Sequence, residues 1–301
     1  MSEHEMSDES PTVEDVLAFD ASGLDALTSP VLVAGLTGWF DVAGVATTAL
    51  DMLAPVDIAL TVGEIDPDPF YDFTQERPQV ELSELGERHV TWPANSFDVV
   101  RTGGTHDLVV LRGVEPHLAW RTYAHCVLHV VRELGCATVV TVGATPDAVP
   151  HTRLPVVVGS TSDPELAARL ALSAPSYQGI TGLVGVLHAE LEALDVPTIS
   201  LRVGVPHYLP HAEHPQAVAA LLRHLAHVLG VPVKVDLSDQ IGRWEAIHEE
   251  VVHDDDQLRT YVRVLEAEYD RKAEVALRAA DDLATRFEEF LRAQDPPEDT
   301  D

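Results

Sequence analysis

The 301-residue sequence is 46% apolar and carries a formal charge of −31 at neutral pH. That length and apolar content suffice for one large α/β core, alone or with a small appendage. So acidic a surface repels phosphate backbones and anionic lipid, so neither nucleic acid nor membrane is an expected partner.

Residues 1–20 contain seven acids and no Lys or Arg, and read as a disordered acidic tail. The N-terminus MSEHEMSDESPTVED lacks the basic and apolar regions of a signal peptide, and no apolar run approaches the ~20 residues of a membrane span. A cytoplasmic location is expected.

PVLVAGL (30–36) predicts a buried strand. A helix follows, with Val42, Ala46, Ala49, Leu50 and Leu53 at helical spacing and Asp41 as its N-cap. Residues 57–65 read as a strand, 66–78 (DPDPFYDFTQERP) as a long aromatic loop, and 87–93 as a short strand ended by Pro93. Then come a strand (107–113), a helix (115–134), strands at 137–145 and 154–162, and a helix from DPELAARL. SYQGITG (176–182) is a loop, followed by a helix, a strand at 197–206 and a helix at 215–230.

Val-rich strands around helices predict a largely parallel, doubly covered sheet. The expected organisation is an α/β domain over 21–235, a helical subdomain over 236–293 and an acidic tail over 294–301. In the helical part, one apolar stripe is Leu258, Val262, Leu265 and Tyr269; a second is Leu283, Phe287, Phe290 and Leu291.

The motifs exclude more than they assign. Glycines 35, 38 and 44 do not match G-x-G-x-x-G, so the dinucleotide fingerprint fails. Only Lys234 and Lys272 are present, neither in a glycine-rich turn, which removes a phosphate-binding P-loop. Cys126 and Cys136 form no zinc or disulfide pattern and read as buried thiols. His125 and His129 stand at i, i+4 but opposite the apolar stripe of their helix, and His211 and His214 lack a third ligand. No G-x-S-x-G elbow occurs. No metal and no cofactor are expected.

Polar groups gather where strands should end: Glu115, His151-Thr152-Arg153, Tyr177 with Gly179, and His207-Tyr208. Ligands of open α/β sheets favour those ends. Asp66, Asp68 and Asp72 with Arg77 could supply a base or bind a cation, or an Asp72–Arg77 pair could pin the loop.

Together GWFDVAG, DPDPFYDFTQERP, TWP, RGVEPH, PHTR, SYQGITG and VPHYLP, in this order, resemble the proteasome assembly chaperone 2 (PAC2) family, and its actinobacterial branch in particular. The resemblance spans about residues 28–270. It implies a nucleoside phosphorylase-like α/β core with a mixed central sheet, a helical C-terminal portion, and homo-oligomers, for which a trimer is expected. It also implies a chaperone-like role without catalytic residues. Proteasome-docking relatives carry a C-terminal hydrophobic–Tyr–X motif, whereas this sequence ends PPEDTD and holds EYD internally at 268–270, so docking by that route is not expected.

The expected ligand or partner surface comprises Gly38, Trp39, Asp41, Asp72, Arg77, His151, Arg153, Tyr177 and Gly179. The alternative is a nucleosidase or phosphorylase-like hydrolase. There Asp72 or Asp41 would be the acid/base, Arg77 or Arg153 an anion clamp, and Tyr177 a stacking wall.

Overall fold

The computed structural model describes residues 11–294 except 84, 85, 210, 211 and 234, with side chains described to residue 275. In chain order the first half holds α1 (Val13–Val16), β1 (Leu17–Phe19), β2 (Val31–Thr37), α2 (Val45–Leu53), β3 (Leu60–Ile65), β4 (Gln79–Leu82), β5 (Arg88–Thr91), β6 (Asn95–Val100) and β7 (Leu108–Val114). The second half holds α3 (Trp120–Glu133), β8 (Val139–Asp147), β9 (Val157–Ser160), α4 (Pro164–Leu170), α5 (Leu183–Glu192), β10 (Thr198–Pro206), α6 (Pro215–Leu229), α7 (Ser238–Asp254) and α8 (Asp256–Gln294).

Eight strands form one mixed sheet in the order β1-β3-β6-β7-β2-β8-β10-β9. Its centre, β7-β2-β8-β10, is parallel, as the continuous Val-rich runs predict; the remaining ladders are antiparallel. One face is covered by α2 and α6, which bury Leu50, Leu221 and Leu225 against Val33 and Val203. The other is covered by α3 and α5, which bury Tyr123, Val127 and Leu187 against Leu32 and Leu111. Cys126 and Cys136 are free, buried thiols, pushed up to about 12 by burial, so they are not nucleophiles.

Three sequence expectations need correction. The tail expected over 1–20 extends too far: from Val13 the chain forms α1 and β1, and β1 pairs antiparallel with β3. Asp15 accepts from the Thr12 N–H and hydroxyl, and Val16 and Leu17 are buried, which outweighs the acidic composition. Residues 1–10 and 295–301 lie outside the described residues. Second, β4 and β6 were not expected; Asn95–Val100 buries Phe97 and Val99 between β3 and β7, although its NSFDVV pattern is short and half polar. Third, the helical C-terminal region is broken at Asp255, which is extended and whose carboxylate accepts the N–H groups of Gln257 and Leu258 to start α8. Val262 and Leu265 of the first stripe are buried; the second stripe lies outside the described side chains.

Candidate functional site

GWFDVAG turns the chain from β2 into α2. Ala43 and Gly44 both adopt left-handed backbone (φ 58° and 65°), which lets a single 3-10 turn reverse direction before the helix. Asp41 is buried and points back at the helix start: Oδ1 accepts from the Ala46 N–H at 2.7 Å, and Oδ2 from the Thr47 hydroxyl at 2.6 Å. Burial raises its pKa despite these bonds. The N-cap position of α2 is thus Gly44 and not Asp41 as expected, because a 3-10 turn intervenes; Asp41 caps the first turn of α2 by its side chain, reaching across that turn. Replacing it with Ala should lower stability by about 1–2 kcal/mol in urea denaturation. Asp41→Asn, which retains one acceptor, should lose less.

Phe40 turns the other way and lies on Gly143 of β8. A Cβ at Gly143 would stand 2.0 Å from the Phe40 ring, so only glycine leaves this niche open. The next strand end supplies the facing wall. Glu115 follows β7; its N–H donates to the Thr37 carbonyl at 2.8 Å, and its Oε2 accepts the Trp39 N–H at 3.0 Å. Gly38 has no room for a side chain because a Cβ would meet the Glu115 Cβ at 2.7 Å. From these adjacent parallel strands the chain leaves to opposite faces, β2 into α2 and β7 into α3. A crevice at such a switch point is where open α/β sheets bind.

The DPDPFYDF loop braces this wall. Phe70 is fully buried against Tyr123, and its carbonyl accepts the N–H groups of His117 and Leu118. The Tyr71 hydroxyl donates to the Val114 carbonyl at 2.6 Å and accepts from the Asn95 amide. Opposite, SYQGITG closes on itself: the Tyr177 hydroxyl donates to the Ile180 carbonyl at 2.7 Å, with Gly179 under its ring. Trp39, Phe40, Glu115, Tyr177, Gly182 and Arg202 outline a pocket of about 250 Å³. Trp39 (79% exposed), Tyr177 (74%) and Ile180 (94%) form its apolar rim.

The other expected site residues lie elsewhere. Asp72 accepts from the Thr74 N–H and hydroxyl and the Gln75 amide, and these bonds hold it at about 2. Arg77 is exposed, and no Asp72–Arg77 ion pair forms among the described residues, so the loop is pinned by Asp72 on its own turn. His151 and Arg153 dock the C-terminal helices. Arg153 makes a two-pronged pair with Asp270 (2.9 and 2.8 Å) and reaches Glu266 at 3.4 Å, and the Thr152 hydroxyl donates to Glu266 at 2.6 Å. Buried His151 meets the Tyr208 hydroxyl at 2.7 Å and packs edge-on to Trp244; burial, with His248 nearby, holds its imidazole below the ordinary value.

Of the nine expected residues, Gly38, Trp39, Tyr177 and Gly179 converge. Asp41 caps, Asp72 and Arg77 sit on a separate loop, and His151 and Arg153 fasten α8. Glu115 was visible as a strand-end acid, but Arg202 carried no signal, since it stands within an apolar strand far along the chain. Acid/base, clamp and wall roles of a nucleosidase fall on side chains that do not meet. Among the described residues no three His, Cys, Asp or Glu side chains gather to hold a metal, and no helix is long and apolar enough to cross a membrane.

Fold and site define a mixed α/β protein with an aromatic-rimmed crevice at its parallel strand ends. The chain belongs to the PAC2 family, whose model matches residues 35–253. It is similar to a PAC2 family protein from Streptomyces avermitilis, at 36% identity, TM-score 0.71, and coverage of 77% of this chain and 99% of that one. A Mycobacterium tuberculosis proteasome-assembly chaperone homologue matches at 35% identity and TM-score 0.69, with the same coverage. PbaB of Pyrococcus furiosus, an archaeal proteasome activator, shares the fold at 17% identity and TM-score 0.56, covering 78% of this chain and 96% of that one. A comparison with curated proteins finds no match.

Proposed function

We propose that the protein is a cytoplasmic, homo-oligomeric binding protein with an assembly-chaperone-like role, and that it works without catalysis. The observation that carries this reading is the rim: Trp39, far in sequence from Tyr177 and Ile180, stands with them largely exposed at the ends of the central parallel strands. Large apolar side chains gathered on a surface mark contact with another protein. Tryptophan and tyrosine are also the side chains that concentrate binding energy at interfaces. The chaperone homologue among the relatives supports the same reading. The trimer rests on the family resemblance.

Affinity capture from the native cytoplasm should retain a stoichiometric protein partner, and the double variant Trp39→Ser, Ile180→Ser should lose it while folding normally. Equal capture by the variant would move the contact elsewhere; absence of any stoichiometric partner would remove the reading. Native mass measurement should give three times the chain mass, and a monomer would overturn the trimer.

A further inference from the structure

Beneath the rim, the pocket presents opposite charges that do not satisfy each other. Glu115 spends Oε2 on the Trp39 N–H, while Oε1 faces the pocket beside Gly182, 3.6 Å from where a Cβ of that glycine would stand. Arg202 of β10 reaches in from the far side and makes no ion pair with Glu115 or any other acid among the described residues. Strands β7 and β10 are three strand spacings apart, about 14 Å, so the two side chains approach a common space from opposite walls. Between them lie Phe40, Trp39 and Tyr177. The start of α5, at Gly182–Gly185, opens on the same space without a side-chain cap.

We propose that this pocket binds a free α-amino acid with an aromatic or branched apolar side chain. The ammonium group sits on Glu115 Oε1. The carboxylate takes the Arg202 guanidinium. The side chain lies against Trp39 and Tyr177. A lone cation would be repelled by Arg202 and a lone anion by Glu115, so the pair selects a molecule carrying both charges. The volume of about 250 Å³ suits a ligand of that size. The inference uses the crevice proposed for a protein partner but does not depend on that partner.

Calorimetric titration of the full chain with L-leucine and L-tryptophan, and with their N-acetyl and amide derivatives, tests it. Binding of the free amino acids is expected. Blocking either charge should weaken it at least about tenfold, as should Glu115→Gln or Arg202→Met. Glu115→Gln retains an acceptor for the Trp39 N–H, and Arg202→Met alters an exposed position, so both should melt as the parent does. No binding of any free amino acid would overturn the proposal. So would equal binding of the blocked derivatives, or unchanged binding by both variants. Absence of any stoichiometric captured partner, with amino-acid binding intact, would sink only the assembly reading.

Discussion

Acidification from pH 7 to 4 is expected to cost the fold about 2 kcal/mol through His188 alone. This histidine on α5 meets the Thr141 hydroxyl of β8 at 2.9 Å beneath the crevice. Burial pulls its imidazole from the ordinary 6.5 down to about 4, opposed only in part by Glu192. The native state therefore holds neutral His188 where the unfolded chain has already taken up a proton. Stability is complete above pH 6.5, falls as pH drops toward 4, and levels off below. The full shift corresponds to about 3 kcal/mol, and the ring's residual exposure reduces the expected loss to about 2. Urea denaturation at pH 7, 5.5 and 4 should show this loss in the parent. His188→Gln keeps a hydrogen-bonding group toward Thr141 and should flatten the profile by that amount. An identical profile in the variant would place the acid sensitivity elsewhere.

The second large effect concerns α8. Arg153 faces two acids of that helix, Glu266 and Asp270, in a protein otherwise dominated by negative charge. Arg153→Glu removes the two-pronged pair and sets three carboxylates against one another. Uncharged contacts remain, among them the Tyr269 hydroxyl donating to the Leu154 carbonyl at 2.9 Å and Tyr261 meeting His207 at 3.1 Å. The expected result is local release: amide exchange across residues 256–275 should rise at least about tenfold, a change of about 1.4 kcal/mol. Exchange in β2 and β8 should not change. Uniform acceleration throughout the chain would mean that the pair supports the whole fold, and unchanged exchange at 256–275 would mean that the aromatic contacts suffice.

The sequence made the layered core legible because burial on both faces demands long apolar runs, as in Val31–Thr37 and Leu108–Val114. The capping role of Asp41, though not its position relative to α2, was readable for an equally local reason, since capping is decided within a few residues. The antiparallel side was harder. β6 reads NSFDVV, neither a continuous apolar run nor a regular alternation, and β1 has only three residues, so neither offers enough periodicity.

The site was half legible. Trp39 and Tyr177 stand beside glycines in polar turns, which marks them locally, but their meeting depends on strand order. His151 and Arg153 carried the same local marks and went to a different task, because the sequence does not show that α8 returns to the β8–β9 connection. Residue type announced polar function, and topology decided which function.

The bond between Trp39 and Glu115 has a mechanical consequence. The loops it joins leave the sheet toward opposite layers, one feeding α2 and the other α3. Asp41 ties the first loop to its helix, and the Phe70 carbonyl ties the second to the aromatic loop. Pressure on the Trp39 ring is thus carried by one carboxylate into both layers, so the exposed rim is a rivet through the sandwich.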